Sequence, residues 1–490
     1  MLIPCMLQKV SEMRTTVAKT ILKCAVTVCL WLVGWTVTLI ASESVVAKNS
    51  PNIIVIFCDD LGWGDLGCYG NPTIRTPNLD RMAREGQKWT QFYVAAPVCT
   101  PSRAALMTGR YPIRNGMTSA KGVLFPNSGG GLPTKEITLA EMLKQQGYST
   151  GIVGKWHLGH LPQYLPTQQG FDSYFGIPYS NDMDKISGPG YLGEVRKDAS
   201  YYPSIEHYNV PLMRNTEIVE RPADQNTLTQ KYTDEAVRFI QENQKRPFFL
   251  YLPHSMPHIP LFASEKYRGK SKRGLYGDVV EELDGSVGRI LDTLRDLKLD
   301  DKTLVVFSSD NGPWLSFETH GGSAGPLRAG KGTTFEGGQR VPAIFWWPGR
   351  VQPGTIHELG STLDLMATVA AITGGEIPKD RTLDSYDLSE VLMRGGESPR
   401  QEIFFWTNAQ LHAVRMGPWK LHIKAREPIN YGKETELASP ELYHLERDIS
   451  EKFNVADKHP EVVKSLLQKI EEHRSSIEPH EDMLAIPLNK

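Results

Sequence analysis

The chain has 490 residues, 40% hydrophobic and 22% charged, which excludes a disordered or fibrous protein and allows one large core plus a smaller unit. Lysine and arginine number 54 against 56 aspartates and glutamates, so no charge excess argues for a nucleic-acid partner. Any anion must be gripped by local groups.

Residues 1–47 differ from the rest. Lys9, Arg14, Lys19 and Lys23 precede the uncharged run CAVTVCLWLVGWTVTLIA at 24–41, and small residues lead to Ala47. This order reads as a secretory signal peptide over 1–47, so the mature protein is expected to be exported: periplasmic, secreted or in a lysosome-like lumen. The competing reading is an uncleaved membrane anchor at 24–41, long enough to just span a bilayer. Met6 and Met13 are alternative starts. Setting aside 1–47 removes four basic and two acidic residues, leaving 50 against 54, and leaves the cysteines Cys58, Cys68 and Cys99. So few are no disulfide framework, even in an exported chain.

After the leader, strand and helix patterns alternate. PNIIVIFCDD (51–60) is a near-continuous apolar run ending in acid, as in a buried parallel strand. Helical patterns follow at 78–85, 102–109 and 138–147, then strand and loop in YSTGIVGKWHLG (148–159). A helix over 227–244 places Tyr232, Ala236, Phe239 and Ile240 on one face, and a longer one over 277–297 does so with Val280, Leu283, Val287, Ile290 and Leu294. PFFLYLPH (247–254), TLVVFSSDNG (303–312) and VPAIFWW (341–347) are strands, followed by a helix near 363–373. The alternation predicts an α/β fold, a mostly parallel sheet between helices, in a catalytic unit over 48–375. Short strands at 403–407, 411–416 and 419–424, with a helix at 461–473, predict a smaller antiparallel sheet-plus-helix unit over 376–490. The Gly-, Pro- and Tyr-rich stretch 181–226 reads as a surface insertion near the active face.

In an open parallel sheet, ligands bind beyond the carboxyl ends of the strands. Asp59 and Asp60 close the first strand, and Asp310 and Asn311 follow 303–309. Either pair alone is consistent with a solvated turn. Both together at strand ends would repel without a cation, and oxygen donors of this kind suit Ca²⁺, or Mg²⁺ as second choice, and not zinc. Lys155 and His157 follow a third strand, His254 and His258 a fourth, and Lys331 lies in a glycine-rich loop. Singly, each is also consistent with a surface lysine or a packed histidine. Jointly they supply the cations and proton donors that an anionic tetrahedral ester needs. Cys99 precedes Thr100, a possible N-cap, and Pro101, suited to a first helical position, so a helix N-terminus and Arg103 would face an anion held near residue 99. Taken by itself, Cys99 is either a thiolate nucleophile or a buried structural cysteine.

Cys99-Thr100-Pro101-Ser102-Arg103, continued by AALMTGR, resembles the signature of the type I sulfatases, and DDLGWGDLGCYG (59–70), GKWHLG (154–159), PHIPL (257–261), SDNGP (309–313) and GKGTTFEGG (330–338) look like that family's other motifs, in order. GGGLP (129–133), QGFDSYFGIPYS (169–180) and LRAGKGTTFEGG (327–338) bring it nearest to the arylsulfatase A branch, with some likeness to the N-acetylgalactosamine-6-sulfatases. The resemblance implies an alkaline-phosphatase-like fold and hydrolysis of sulfate esters of carbohydrates or glycolipids. It also implies that Cys99 is oxidised to Cα-formylglycine by a maturing enzyme that reads this string before folding. On the family pattern Asp59, Asp60, Asp310 and Asn311 bind Ca²⁺ with residue 99 a further ligand. Arg103 holds the aldehyde hydrate, and His157 is the base for its second hydroxyl. Lys155 and Lys331 neutralise sulfate, His258 protonates the leaving alcohol, and Ser180 is a substrate-side serine. His254 has no clear equivalent. The disulfides of the animal arylsulfatase are missing and 181–226 departs from it, so the resemblance leaves the substrate open among sulfated polysaccharide, glycosaminoglycan fragment and sulfolipid, and the oligomeric state stays open. Two other readings compete: a phosphate or phosphonate ester hydrolase on the same scaffold, and a non-catalytic carbohydrate-binding descendant.

Overall fold

A computed structural model describes residues 50–426 and 434–488. The leader 1–47 lies outside the described residues. Ten strands form one sheet: β1 Asn52–Cys58, β2 Gln87–Tyr93, β3 Ser149–Val153, β4 Ser173–Gly176, β5 Leu212–Arg214, β6 Glu217–Glu220, β7 Phe248–Pro253, β8 Thr303–Ser309, β9 Arg340–Trp346 and β10 Gly354–Ser361, in the order β10-β2-β9-β8-β1-β7-β3-β4-β5-β6. Only β5 and β9 run against the other strands of this sheet. Four more, β11 Glu402–Thr407, β12 Gln410–Met416, β13 Trp419–Arg426 and β14 Glu434–His444, form a separate antiparallel sheet in sequential order.

The near-continuous apolar run at 52–58 forms β1 because both faces of that strand are covered. Ile54, Ile56 and Cys58 join a core with Leu283, Val287 and Ile290 of the helix Leu275–Asp296 and Ala236 and Ile240 of the helix Leu228–Asn243. Ile53, Val55 and Phe57 point the other way, into a core with Leu106 and Met107 of the helix Cys99–Thr108, Leu139 and Leu143 of the helix Leu139–Gln145, and Val369 of Leu365–Thr373. Alternation along one strand thus builds two cores, the arrangement of a sheet between helix layers. Fully burying one such side chain contributes about 1.5–3 kcal/mol. On the C-terminal sheet, Phe404, Trp406, Val414, Leu421 and Leu442 pack with Leu466 and Ile470 of the helix Pro460–Ser475.

The stretch 181–226 has more structure than a surface insertion: it contributes a short helix, Tyr191–Lys197, and β5 and β6, which extend one edge of the large sheet. Among the described residues no helix is long and apolar enough to cross a membrane.

Candidate active site

Five adjacent parallel strands, β8-β1-β7-β3-β4, end side by side and deliver the site. Asp310 and Asn311 follow β8, Asp59 and Asp60 follow β1, His258 lies beyond β7, Lys155 and His157 beyond β3, and Ser180 beyond β4. Neighbouring strands lie about 4.8 Å apart, so groups on their ends must meet. Two devices tighten the meeting. Asp60 and His157 adopt positive φ, 68° and 60°, a backbone that turns each side chain inward at some cost in strain. Gly154, at φ 135°, sits where a Cβ would lie 1.9 Å from the Pro253 carbonyl oxygen, which lets the Lys155 turn close on β7.

The contacts form one buried network. Lys155 Nζ donates to Asp59 Oδ2 at 2.5 Å and to Ser180 Oγ at 3.0 Å, and Ser180 Oγ lies 3.4 Å from His258 Nε2. Arg103 donates to Asp310 Oδ2 through Nε at 3.0 Å and Nη2 at 2.7 Å, and to the Lys155 carbonyl through Nη1 at 3.1 Å. Asp60 receives Asn311 Nδ2 at 2.7 Å and Lys331 Nζ at 2.8 Å, while its own amide donates to Asp310 Oδ1 at 3.1 Å. Cys99 Sγ donates to Asp59 Oδ1 at 3.4 Å. Cys99, His157, Ser180, His258 and Lys331 line one cavity of about 320 Å³.

The electrostatics follow from burial. Burial pushes the Asp59 carboxyl up, but Lys155 foremost among nearby cations outweighs it and holds Asp59 well below the usual range. Asp60 goes to about 7, through burial and the neighbouring Asp59 and Asp310, against the pull of Lys331. Burial and Asp59 raise Asp310 too. The Cys99 thiol is pushed up by burial and by Asp59, the opposite of what a thiolate nucleophile needs. Burial, then Lys155, depresses His157; burial, then Lys331, depresses His258. Both imidazoles are neutral, and their partners assign the tautomers. His157 Nε2 faces the Leu124 carbonyl at 2.9 Å, so it carries the proton and leaves Nδ1 bare, buried and unpartnered among the described residues. His258 Nδ1 faces the Ile259 carbonyl, leaving Nε2 bare toward Ser180 and toward Asp60 Oδ2 at 3.7 Å.

The donor set fits a hard cation. Ligand atoms of Asp59, Asp60, Cys99 and His258 lie within 4.8 Å of one another, and Asn311 Oδ1 is buried without a partner among the described residues. An orphaned buried acceptor among crowded carboxylates is what calcium or magnesium coordination relieves. Asp310, by contrast, engages both its oxygens within the protein, through the Asp60 amide and Arg103.

The profile of the Sulfatase family matches residues 51–375, and that of the C-terminal region of aryl-sulfatase matches 398–488. The chain belongs to the sulfatase family. This sulfatase is 42% identical to arylsulfatase A of Bos taurus over 89% of its own length and 90% of the relative's, and 39% identical to N-acetylgalactosamine-6-sulfatase of Canis lupus familiaris over 92% of each. Among solved structures, the PsFucS1 sulfatase of Pseudoalteromonas sp. superposes with a TM-score of 0.77 at 28% identity, over 87% of this chain and 90% of the other. The chain is accordingly a sulfatase enzyme that hydrolyses sulfate esters.

Two local expectations need correction, the Thr100 cap and the place of His254. The helix of this sulfatase begins at Cys99 itself, with Val98 in the cap position. Thr100 caps nothing, because its Oγ1 donates to the His157 carbonyl at 3.0 Å and accepts the Leu124 amide at 3.2 Å. Close backbone packing requires Gly338 after Lys331, where a Cβ would lie 2.0 Å from the Thr333 carbonyl oxygen. His254 is outside the cavity, 3.4 Å from Ser286 Oγ and pushed to about 3 by burial. Only Asp182 and Met183 of the stretch 181–226 line the cavity. Much of its remaining wall comes from Lys121, Val123, Phe125, Trp314 and Asn408, which lie outside the motifs quoted above. The Trp314 ring stands 4.1 Å from Lys331 Nζ and 5.2 Å from the His258 ring, a cation–π seat beside two candidate catalytic groups.

Proposed function

We propose that this sulfatase removes sulfate from carbohydrates or glycolipids through a Cα-formylglycine made from Cys99, beside a calcium ion, with magnesium as second choice. What supports this above all is the seat of Cys99: a buried cysteine at the first turn of a helix, on the cavity that His157, His258 and Lys331 also line, with its thiol held protonated. A thiol in that state is a poor nucleophile, whereas an oxygen nucleophile at the same position faces the cations and the helix N-terminus. The hydrated aldehyde supplies two hydroxyls on one carbon, one to take the sulfuryl group as the alcohol departs, the other to lose a proton and expel sulfate while the aldehyde re-forms. Asp59, Asp60, Asp310 and Asn311 would hold the cation, with residue 99 as a further ligand, and the cation would offset the charge of substrate sulfate.

The other roles fall to the chain's own groups. Lys155 and Lys331 neutralise sulfate oxygens in a water-poor site, where such pairs count for most. Arg103, fixed by Asp310 and the Lys155 carbonyl, orients residue 99. Bare Nδ1 of His157 accepts the proton of the second hydroxyl. His258 Nε2, bare at rest, takes the proton that the attacking hydroxyl gives up and passes it to the leaving alcohol, with Ser180 between it and Lys155. Residues 99–103 are all buried, so the maturing enzyme has to act before folding. That enzyme and a sulfated glycan or glycolipid are the expected partners, and the leader 1–47 directs export. We take 48–375 as the catalytic unit and 376–490 as the C-terminal one.

The test is sulfate release from sulfated sugars, nitrophenyl sulfate and nitrophenyl phosphate by protein co-produced with a formylglycine-generating enzyme. Release from the aryl sulfate and from at least one sugar sulfate is expected. Faster hydrolysis of the phosphate would overturn the proposal.

A further inference from the structure

Among the described residues, the C-terminal sheet reaches the active-site cavity at one, Asn408. β11 and β12 are joined by Asn408 and Ala409, a two-residue turn between the paired Thr407 and Gln410. Both turn residues have positive φ, 48° and 61°, the left-handed pair that a tight hairpin between twisted strands requires. Asparagine accepts that backbone more readily than most residues. Phe405 pairs with Ala413 but Trp406 with Leu411, so His412 is an extra residue that bulges β12 just after the turn, a device that re-aims side chains next to active sites. The tip is then pinned. Ala409 N donates to Thr118 Oγ1 at 3.2 Å, and the adjoining Ser119 Oγ bonds Asp482 Oδ2 at 2.7 Å. Bulge, turn and anchor together bring the half-buried Asn408 to the cavity that holds Cys99, His258 and Lys331.

We propose that Asn408 is a specificity-determining residue, whose carboxamide donates to and accepts from the hydroxyls of the departing sugar. An amide offers a donor and an acceptor together, which matches a sugar ring's neighbouring hydroxyls, and it brings no charge that would oppose sulfate. The same wall mixes the charged Lys121 and Asp182 with the apolar surfaces of Val123, Met183 and Trp314, and Asn408 is its one carboxamide among the described residues. A site built to hydrogen-bond a hydroxyl discriminates strongly against leaving groups that lack one, because its own polar group is then left unpaired. The inference rests on the carbohydrate reading of the proposed function.

Asn408→Gly tests it, since glycine keeps the turn and removes the amide. Asn408→Asp is the second variant, retaining the acceptors and losing the donor. Both are made as matured full-length protein and assayed on nitrophenyl sulfate, N-acetylgalactosamine 6-sulfate, galactose 6-sulfate and glucosamine 6-sulfate. The expected result is a fall of roughly 10–100-fold in the ratio of kcat/KM for the best sugar sulfate to that for nitrophenyl sulfate, with thermal unfolding like wild type. An unchanged ratio in both variants overturns the inference, whether activity is kept or lost equally on both substrates. A wild type that hydrolyses nitrophenyl sulfate and no sugar sulfate also overturns it, while leaving sulfatase chemistry intact. A matured wild type that releases no sulfate from any substrate instead defeats the proposed function, and this inference with it.

Discussion

Replacing Glu336 by glutamine should destabilise the protein severely, although glutamate and glutamine have nearly the same shape. The carboxylate is fully buried, in the loop that carries Lys331, and receives Lys420 Nζ at 2.9 Å, Arg340 Nη1 at 3.2 Å and Tyr93 OH at 2.5 Å, with Arg415 Nη1 at 3.9 Å. Lys420, on β13, is buried too and meets Glu451 Oε1 at 3.1 Å, while Glu451 Oε2 accepts the Glu336 amide at 2.7 Å. The cluster ties the C-terminal sheet to the Lys331 loop. In Glu336→Gln, Lys420 keeps Glu451, while Arg340 and Arg415 lose the carboxylate they meet here. Removing one partner of a buried ion pair costs about 3–5 kcal/mol. Burial pushes the Glu336 carboxyl up, but Lys420, Arg340 and Arg415 outweigh it and hold it well below its ordinary 4.5. Because the folded value is depressed, its contribution is complete above about pH 4.5 and is lost as pH falls through the folded value. Urea unfolding followed by tryptophan fluorescence should show the full deficit from pH 7 to pH 5 and a shrinking one below. Glu336→Gln/Lys420→Met should recover part of the loss, as interacting partners do in a double-mutant cycle. A deficit under about 0.5 kcal/mol at neutral pH, within the range of ordinary surface substitutions, or one that stays constant into acid, would refute the reasoning.

Three further outcomes bear on the site. Metal analysis of active protein should find calcium, chelation should abolish activity until calcium returns, and Asp310→Ala should be inactive; stoichiometric zinc would contradict the oxygen-donor assignment. His258→Ala should lower kcat/KM by roughly 10²–10⁴-fold for a sugar sulfate and by less for nitrophenyl sulfate, whose leaving group needs no proton; equal losses would remove His258 from that role. Trp314→Leu should cost roughly 3–10-fold in kcat/KM through loss of the Lys331 contact, with Trp314→Phe retaining most of it, and steady-state kinetics showing Leu and Phe alike would dismiss the cation–π seat.

The central strands were legible because they are covered on both faces, so β1, β7 and β8 read as near-continuous apolar stretches. β2 was not legible: Lys88, Thr90 and Gln91 interrupt its pattern, and the strand exists because β9 and β10 pair with it from distant sequence. β10 and β14 are likewise polar along much of their length and held by their neighbours. At the site, the acidic pairs stood out because they end apolar runs. The helix start at Cys99 was misread because the local signal of Thr100 and Pro101 yields to bonds made by Thr100 with His157 and Leu124, which no local rule contains. The cavity wall was hidden for the same reason. Asn408 enters it through the docking of a hairpin about 300 residues beyond Cys99, and Trp314 enters it just past the SDNGP motif, with no pattern of its own.

The most direct test of the account is mass spectrometry of the tryptic peptide WTQFYVAAPVCTPSR, residues 89–103, taken from protein with measured sulfatase activity. The account expects residue 99 as an aldehyde that reacts with hydrazides, in a fraction equal to the fraction of active sites. Cys99→Ser, with a single hydroxyl at that position, should release one equivalent of alcohol and then carry sulfate on the same peptide. A fully active wild type whose Cys99 is an unmodified thiol would contradict the account.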